Sequence, residues 1–315
     1  MNNLHRELAP ISDTAWNQIE GEVARTFKRY IAGQRAIDVK GPTDVGLSAV
    51  GTGHLRSIRG PREGVEVRQR DVNALIELRV PFELSREAID DVERGANDSD
   101  WQPAKDAARQ IAFAEDGEVF EGCPDANIVG IRQGTSNPKM PFPSDVLQYP
   151  DAIAQGLSQL RMVGVNGPYA VLLGAEAYTA LSETSDHGYP VLEHVKRLVK
   201  DKIIWSPAIE GAFVLTTRGG DFELHLGQDL SIGYLSHTDA SVRLYLQETL
   251  TFCCRRLKRQ WCCRNSFGQE KSNGCGCRHK TDRSLLSTRS ELKFKCGWIE
   301  RGPHTLVRIA FREDT

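Results

Sequence analysis

The chain changes character at a single point, and that break decides which part of it can form an ordinary folded body. Up to Phe252 the stretch GGDFELHLGQDLSIGYLSHTDASVRLYLQETLTF, at 219 to 252, ends in a β pattern, and at Cys253 the pattern stops. Residues 253 to 315 hold seven of the eight cysteines and 15 Lys+Arg against 6 Asp+Glu. The part upstream carries 25 Lys+Arg against 36 Asp+Glu. A formal charge of −2 therefore hides an acidic body joined to a basic tail, and the two have to be read separately.

The body, 252 residues long, can bury a substantial core in one large domain or two modest ones. Its acidic excess argues against nucleic-acid binding, which needs basic groups for phosphate. With Cys123 as its one cysteine it can build no disulfide framework, and a reducing cytoplasm fits best. The start, MNNLHRELAPISD, lacks a basic segment followed by an apolar run, and nothing approaches the ~20 apolar residues that cross a bilayer. Neither a membrane partner nor the general export route is expected.

Ser12 or Asp13 can cap a helix in which Trp16, Ile19, Val23, Phe27 and Ile31 recur at three- and four-residue spacing, closed by Gly33. Residues 46 to 82 form an extended arm with a Gly60-Pro61 turn, carrying His54, Arg56, Arg59, Arg62, Arg68 and Arg70 but few large apolar residues around its tip. Such an arm either reaches a neighbouring subunit or stands as a solvated hairpin. Ser85 caps a short helix, and a longer one runs from 101 to 120. Glu115 falls on its apolar face, which predicts a structural ion pair or a subunit contact, since no second carboxylate or His stands at helical spacing for acid/base work. After the loop SDHGYP at 185 to 190 and one more helix, strands dominate, at 203 to 205, 212 to 217, 222 to 226, 230 to 234 and 242 to 252. Without regular βαβ alternation, an α+β class is expected.

No dinucleotide-binding, P-loop, metalloprotease or nucleophile-elbow motif occurs. Ser182, Asp186 and His187 supply the residue types of a hydrolase triad, but they crowd into one short segment, whereas triad members converge from distant ones. Gly219-Gly220 reads as a turn needing positive φ. In the tail, Cys253, Cys254, Cys262, Cys263, Cys275, Cys277 and His279 invite a zinc reading. Adjacent cysteines cannot easily both point at one tetrahedral ion, and no C-x-x-C pair occurs. The tail lacks hydrophobic periodicity and reads as an out-of-frame or otherwise non-native extension, disordered rather than metal-bound. Neither a catalytic residue, a metal site nor a cofactor is expected.

Several long segments, in order, carry a resemblance: LHRELAPIS near the start, FKRYIAGQRAIDVKGP at 27 to 42, LRVPFELSREAIDDVERG at 78 to 95, GPYAVLLG at 167 to 174, SDHGYP, and FVLTTRGGDFELHLGQDLSIGY leading into VRLYLQETLTF. Across residues 2 to 252 the chain resembles the family 1 encapsulins, also called linocin or bacteriocin-type shell proteins. The resemblance implies the α+β fold of tailed-phage major capsid proteins. It divides the chain into an N-terminal helix and the start of a peripheral domain (1–45), the arm (46–82), peripheral helices (83–133), an axial domain (134–212), peripheral strands (213–252) and the departing tail (253–315). About 60 copies would close a small icosahedral nanocompartment around cargo held by a C-terminal targeting peptide, a ferritin-like iron-storage protein or a dye-decolourising peroxidase.

The resemblance further implies a cargo groove of Phe27, Ile31, Arg35 and Asp38 facing Leu230, Ile232 and Tyr234, although Phe27 and Ile31 also read as ordinary core. It places Asp186, His187, Gly188 and Tyr189 at the fivefold pore, where His187 could make passage sensitive to pH. Some relatives bind flavin on an aromatic residue; Glu87 stands at that position here, so flavin is not expected. The family continues past ETLTF with a short apolar strand, in whose place this chain reads CCRRLKRQWCC. That predicts an unpaired sheet position and poor or partial assembly. Rival readings are a secreted bacteriocin or hydrolase and a prophage capsid protein without cargo.

Overall fold

In a computed structural model of the chain, residues 3 to 254 are described apart from 136, 138, 139 and 201, together with the strand Leu306–Ile309. The class is α+β, as the mixed element order predicts.

The strand Ser241–Cys254 organises the first half of the molecule. One flank pairs antiparallel with Ile76–Ser85, and the other with Ser231–His237 and then with Phe222–Leu226, to which Asp38–Lys40 adds in parallel. Alternation sends Val242, Leu244, Leu246, Leu250 and Phe252 to the buried face. Over the stretch from 242 to 246 lie the N-terminal helix Asp13–Tyr30, the short helix Arg86–Glu93 and the long helix Gln102–Phe120. The N-terminal helix buries Trp16, Ile19, Val23 and Phe27, and Ser12 caps it by accepting from the Ala15 N–H at 3.2 Å. Burying each such large apolar side chain stabilises the fold by about 1.5–3 kcal/mol.

A second sheet runs Ile203–Trp205, Tyr169–Leu173, Ala212–Thr216, Leu306–Ile309, Met140–Pro141. The helices Tyr149–Met162, Ala175–Glu183 and Val191–Val199 supply Ile153, Leu157, Leu181 and Val195 to its core. A third apolar cluster, with Phe120, Ile131, Phe213, Leu224 and Phe252, joins the two halves. The arm is a hairpin of Ala49–Ile58 and Val67–Ala74, irregular between Gly51 and Leu55.

Several expectations need correction. The β pattern does not stop at Cys253 but continues through Cys254. Of the tail, Leu306–Ile309 pairs parallel with Ala212–Thr216 and antiparallel with Met140–Pro141. The rest of the tail, with the zinc reading of Cys262, Cys263, Cys275, Cys277 and His279, lies outside the described residues. Ser85 occupies the N-cap position of its helix without making a side-chain cap bond. Gly33 does not close the first helix with a left-handed turn. It is needed for close approach, since a Cβ there would sit 2.9 Å from the Asp116 carboxylate.

Candidate functional site

Five of the seven expected groove residues converge. Phe27, in the last turn of the N-terminal helix, and Ile31, just after it, are buried in the same cluster as Ile232. Leu230 and Tyr234 lie half-buried against that cluster, on the strand face that period-two alternation gives to 230, 232 and 234. The groove floor is therefore core, and its accessible parts are Leu230 and Tyr234. Residues near the N-terminus lie along this strand: the Tyr234 N–H donates to the Leu4 carbonyl at 2.8 Å, and from the central strand the Tyr245 hydroxyl donates to the Asn3 carbonyl at 3.2 Å.

The two charged members stand elsewhere. Arg35 is exposed in the 3-10 turn Gly33–Arg35, and Asp38 opens its short strand. Together they line a pocket of about 150 Å³ with Lys202, Thr216, Thr217 and Asp221. Asp38 accepts from the Gly220 N–H and so fixes the turn in which Gly219 and Gly220 take φ values of 86° and 78°. Asp38 is level with Glu223 and hence with Cys253, whereas Ile232 is level with Leu246. Seven residues of extended strand at ~3.3 Å each put Asp38 about 23 Å along the sheet from the level of Ile232, while Arg35 follows Ile31 by four residues.

The expected pore segment is a tight hairpin rather than a loop. Ser185–Asp186 pairs with Tyr189–Pro190 across His187 and Gly188, which adopt φ values of 47° and 83°, the double positive φ of a two-residue turn that favours glycine. The His187 side chain is 98% exposed, with its Nε2 3.6 Å from the Asp186 carboxylate. Behind the tip, Arg197 donates to the Tyr189 hydroxyl at 2.6 Å, and the Tyr189 ring meets His194 edge-on at 4.9 Å. The hydrolase reading gains nothing: the Ser182 hydroxyl donates to the Tyr178 carbonyl at 2.8 Å. Glu87 is exposed on its helix.

One cluster was missed in the sequence. Glu115, Asp116 and Glu248 are all fully buried. Glu115 is not half of an ion pair. Its oxygens accept from Gln34 Nε2 at 3.0 and 3.1 Å, and its other close neighbour is the Glu248 carboxyl. Burial first, then the nearby Asp116 and Asp229 charges, push Glu115 up to about 8 against the opposing Gln34 bond. Burial likewise raises Asp116 to about 7, although its carboxylate accepts from the Ala32 N–H at 3.0 Å and the Gly33 N–H at 2.7 Å, which favour its charged form. Glu248 was detectable: along 242 to 252 it alone interrupts the apolar residues at the even, inward positions.

Among known proteins, the family described as "Encapsulating protein for peroxidase" matches residues 1–251. Type 1 encapsulin shell proteins are close in sequence. That of Rhodococcus erythropolis is 60% identical over 252 residues, 80% of this chain and 96% of its own length. That of Mycobacterium tuberculosis is 58% identical over 254 residues, 81% of this chain and 96% of its own. Among solved structures, the virus-like particle from Pyrococcus furiosus aligns with a TM-score of 0.54 at 15% identity, over 77% of this chain and 96% of that one. At that identity the likeness speaks for the fold alone.

Proposed function

The chain belongs to the family of encapsulating shell proteins, and on that premise we propose that about 60 copies close into a cytoplasmic compartment that holds a peroxidase, with no bond-making by the shell itself. The observation that carries the assembly reading is the arm. Leu55, Ile58, Val65 and Val72 are exposed on it, and no residue of either arm strand is buried. Apolar side chains presented in this way on an extended hairpin are covered when another copy lies against them.

Peroxidase is the preferred cargo because the family description names one; a ferritin-like protein is the alternative. The cargo's C-terminal peptide lies over Leu230 and Tyr234, with Phe27, Ile31 and Ile232 as floor. If Asp38 also takes part, the peptide needs about seven extended residues to span the roughly 23 Å from Ile232 to it. Asp186, His187, Gly188 and Tyr189 form a pore rim, and His187 gives passage its pH response. If shells carrying His187→Ala admit iron with an unchanged pH profile, that role falls.

The assembly test compares the full chain with a chimera in which 253–315 is replaced by the terminal strand of a relative, using sedimentation and electron microscopy. Closed particles are expected from the chimera and partial ones from the full chain, whose basic, thiol-rich tail hinders closure. Monomers from both would end the shell reading. Homogeneous closed particles from the full chain would overturn only the claim about the tail. Co-expression with a peroxidase, with and without its C-terminal segment, then tests cargo: retention in the particle should require the segment.

A further inference from the structure

Glu248 reaches from the middle of the central strand toward the long helix, and neither of its carboxyl oxygens has a hydrogen-bond donor. The neighbour within bonding reach is Glu115, which is itself an acceptor. Two acceptors thus face each other in a site that water does not reach, and a proton between them resolves the conflict. Among the described residues, no cation is one of the groups that act on Glu115 or Glu248 in its place. The turn Gly33–Arg35 contributes the neutral amide of Gln34; the long helix adds Asp116, whose charge is eased by Arg35; and the segment before Ser231–His237 adds Asp229. On Ile76–Ser85 the residue level with Glu248 is Leu78, while Glu77 and Arg79 pair with each other at 3.1 Å on the surface. On Phe222–Leu226, His225 is engaged by Glu223 at 3.2 Å. Among the described residues no group of three or more His, Cys, Asp or Glu is arranged to hold a metal ion.

We propose that Glu115 and Glu248 share one proton across the contact between the long helix and the central strand, and that losing it is an alkaline release built into the subunit. Once both carboxyls are charged they repel in a low-dielectric site. The contact then opens, and Gln34 is loosened together with the chain reversal at 32 to 33 that Asp116 holds. This inference concerns the subunit and stands whether or not the shell reading does.

The direction of the pH effect follows from linkage. The folded state holds this proton more tightly than the unfolded chain, where Glu titrates near its usual ~4.3. Its contribution is complete below that value and is lost as pH rises through the folded-state value of the pair, which burial first and then the facing carboxyl hold well above that of a free Glu.

The test uses the full chain and two isosteric variants, Glu248→Gln and Glu115→Gln, each of which supplies an amide donor where the proton stood. Wild type should lose on the order of 5–10 °C in Tm between pH 6 and pH 9, and each variant less than half of that. Infrared spectroscopy at pH 7 should show a larger protonated-carboxyl signal in wild type than in either variant, the excess being the shared proton over the part that Asp116, raised to about 7, gives to all three proteins. Equal Tm profiles in wild type and the variants would overturn the proposal. So would the lack of a protonated carboxyl in wild type at pH 7, a measurement that decides the matter even if neither variant folds.

Discussion

The arm and the central strand are both long extended segments, yet they live in opposite surroundings. Ser241–Cys254 is flanked on both sides and covered by helices, and from 244 to 248 every residue is buried. Ala49–Ile58 and Val67–Ala74 pair with each other, and none of their residues is buried. Identical backbone geometry thus yields a structural axis in one place and an unfinished surface in the other. The lesson is that the arm's exposed apolar side chains add little to the isolated subunit, and on the proposed shell reading their value lies in contact with another copy.

The sharpest way to break this contrast is to charge the arm. Leu55→Asp with Ile58→Asp should abolish particle formation in sedimentation while leaving the subunit's circular dichroism intact; if particles persist, the arm is not an assembly element. The next largest effect belongs to the strand. Leu246→Ala, which empties a fully buried position, should cost about 2–5 kcal/mol in denaturant unfolding of dissociated subunits. Leu55→Ala, on a side chain 57% exposed, should stay within about 0.5 kcal/mol in the same assay. Comparable losses at both sites would erase the distinction between the two regions. A smaller change probes the helix that covers the strand: Ser12→Ala removes the bond to the Ala15 N–H and should cost about 1 kcal/mol.

How much of this was legible depended on whether local pattern or tertiary geometry decided the outcome. The helix containing Trp16, Ile19, Val23 and Phe27 followed from periodicity, because it buries one face and the spacing records it, and the strand at 169 to 173 followed from its continuous apolar run, which is buried on both faces. The hairpin at 185 to 190 read as a loop, since its strands are two residues long and show no alternation. The resemblance set Arg35 and Asp38 in one groove with Ile232, and no local pattern records the distance between them. The turn at 33 to 35 and the parallel pairing of Asp38–Lys40 instead carry the chain toward the far end of the sheet. Glu115 was sought with a partner on its own helix, and the partner came from a strand more than a hundred residues later. Spacing rules describe one element at a time and cannot see that contact.

The central strand is also the last member of its sheet along the chain. Nearly the whole body has to be synthesised before Ile76–Ser85 and Asp38–Lys40 can be joined into one structure, a connectivity that makes folding slow. The arm leaves the ribosome long before this, when no completed subunit exists to present it. On the proposed shell reading, the arm is therefore made well before the strand that unites the sheet beside it.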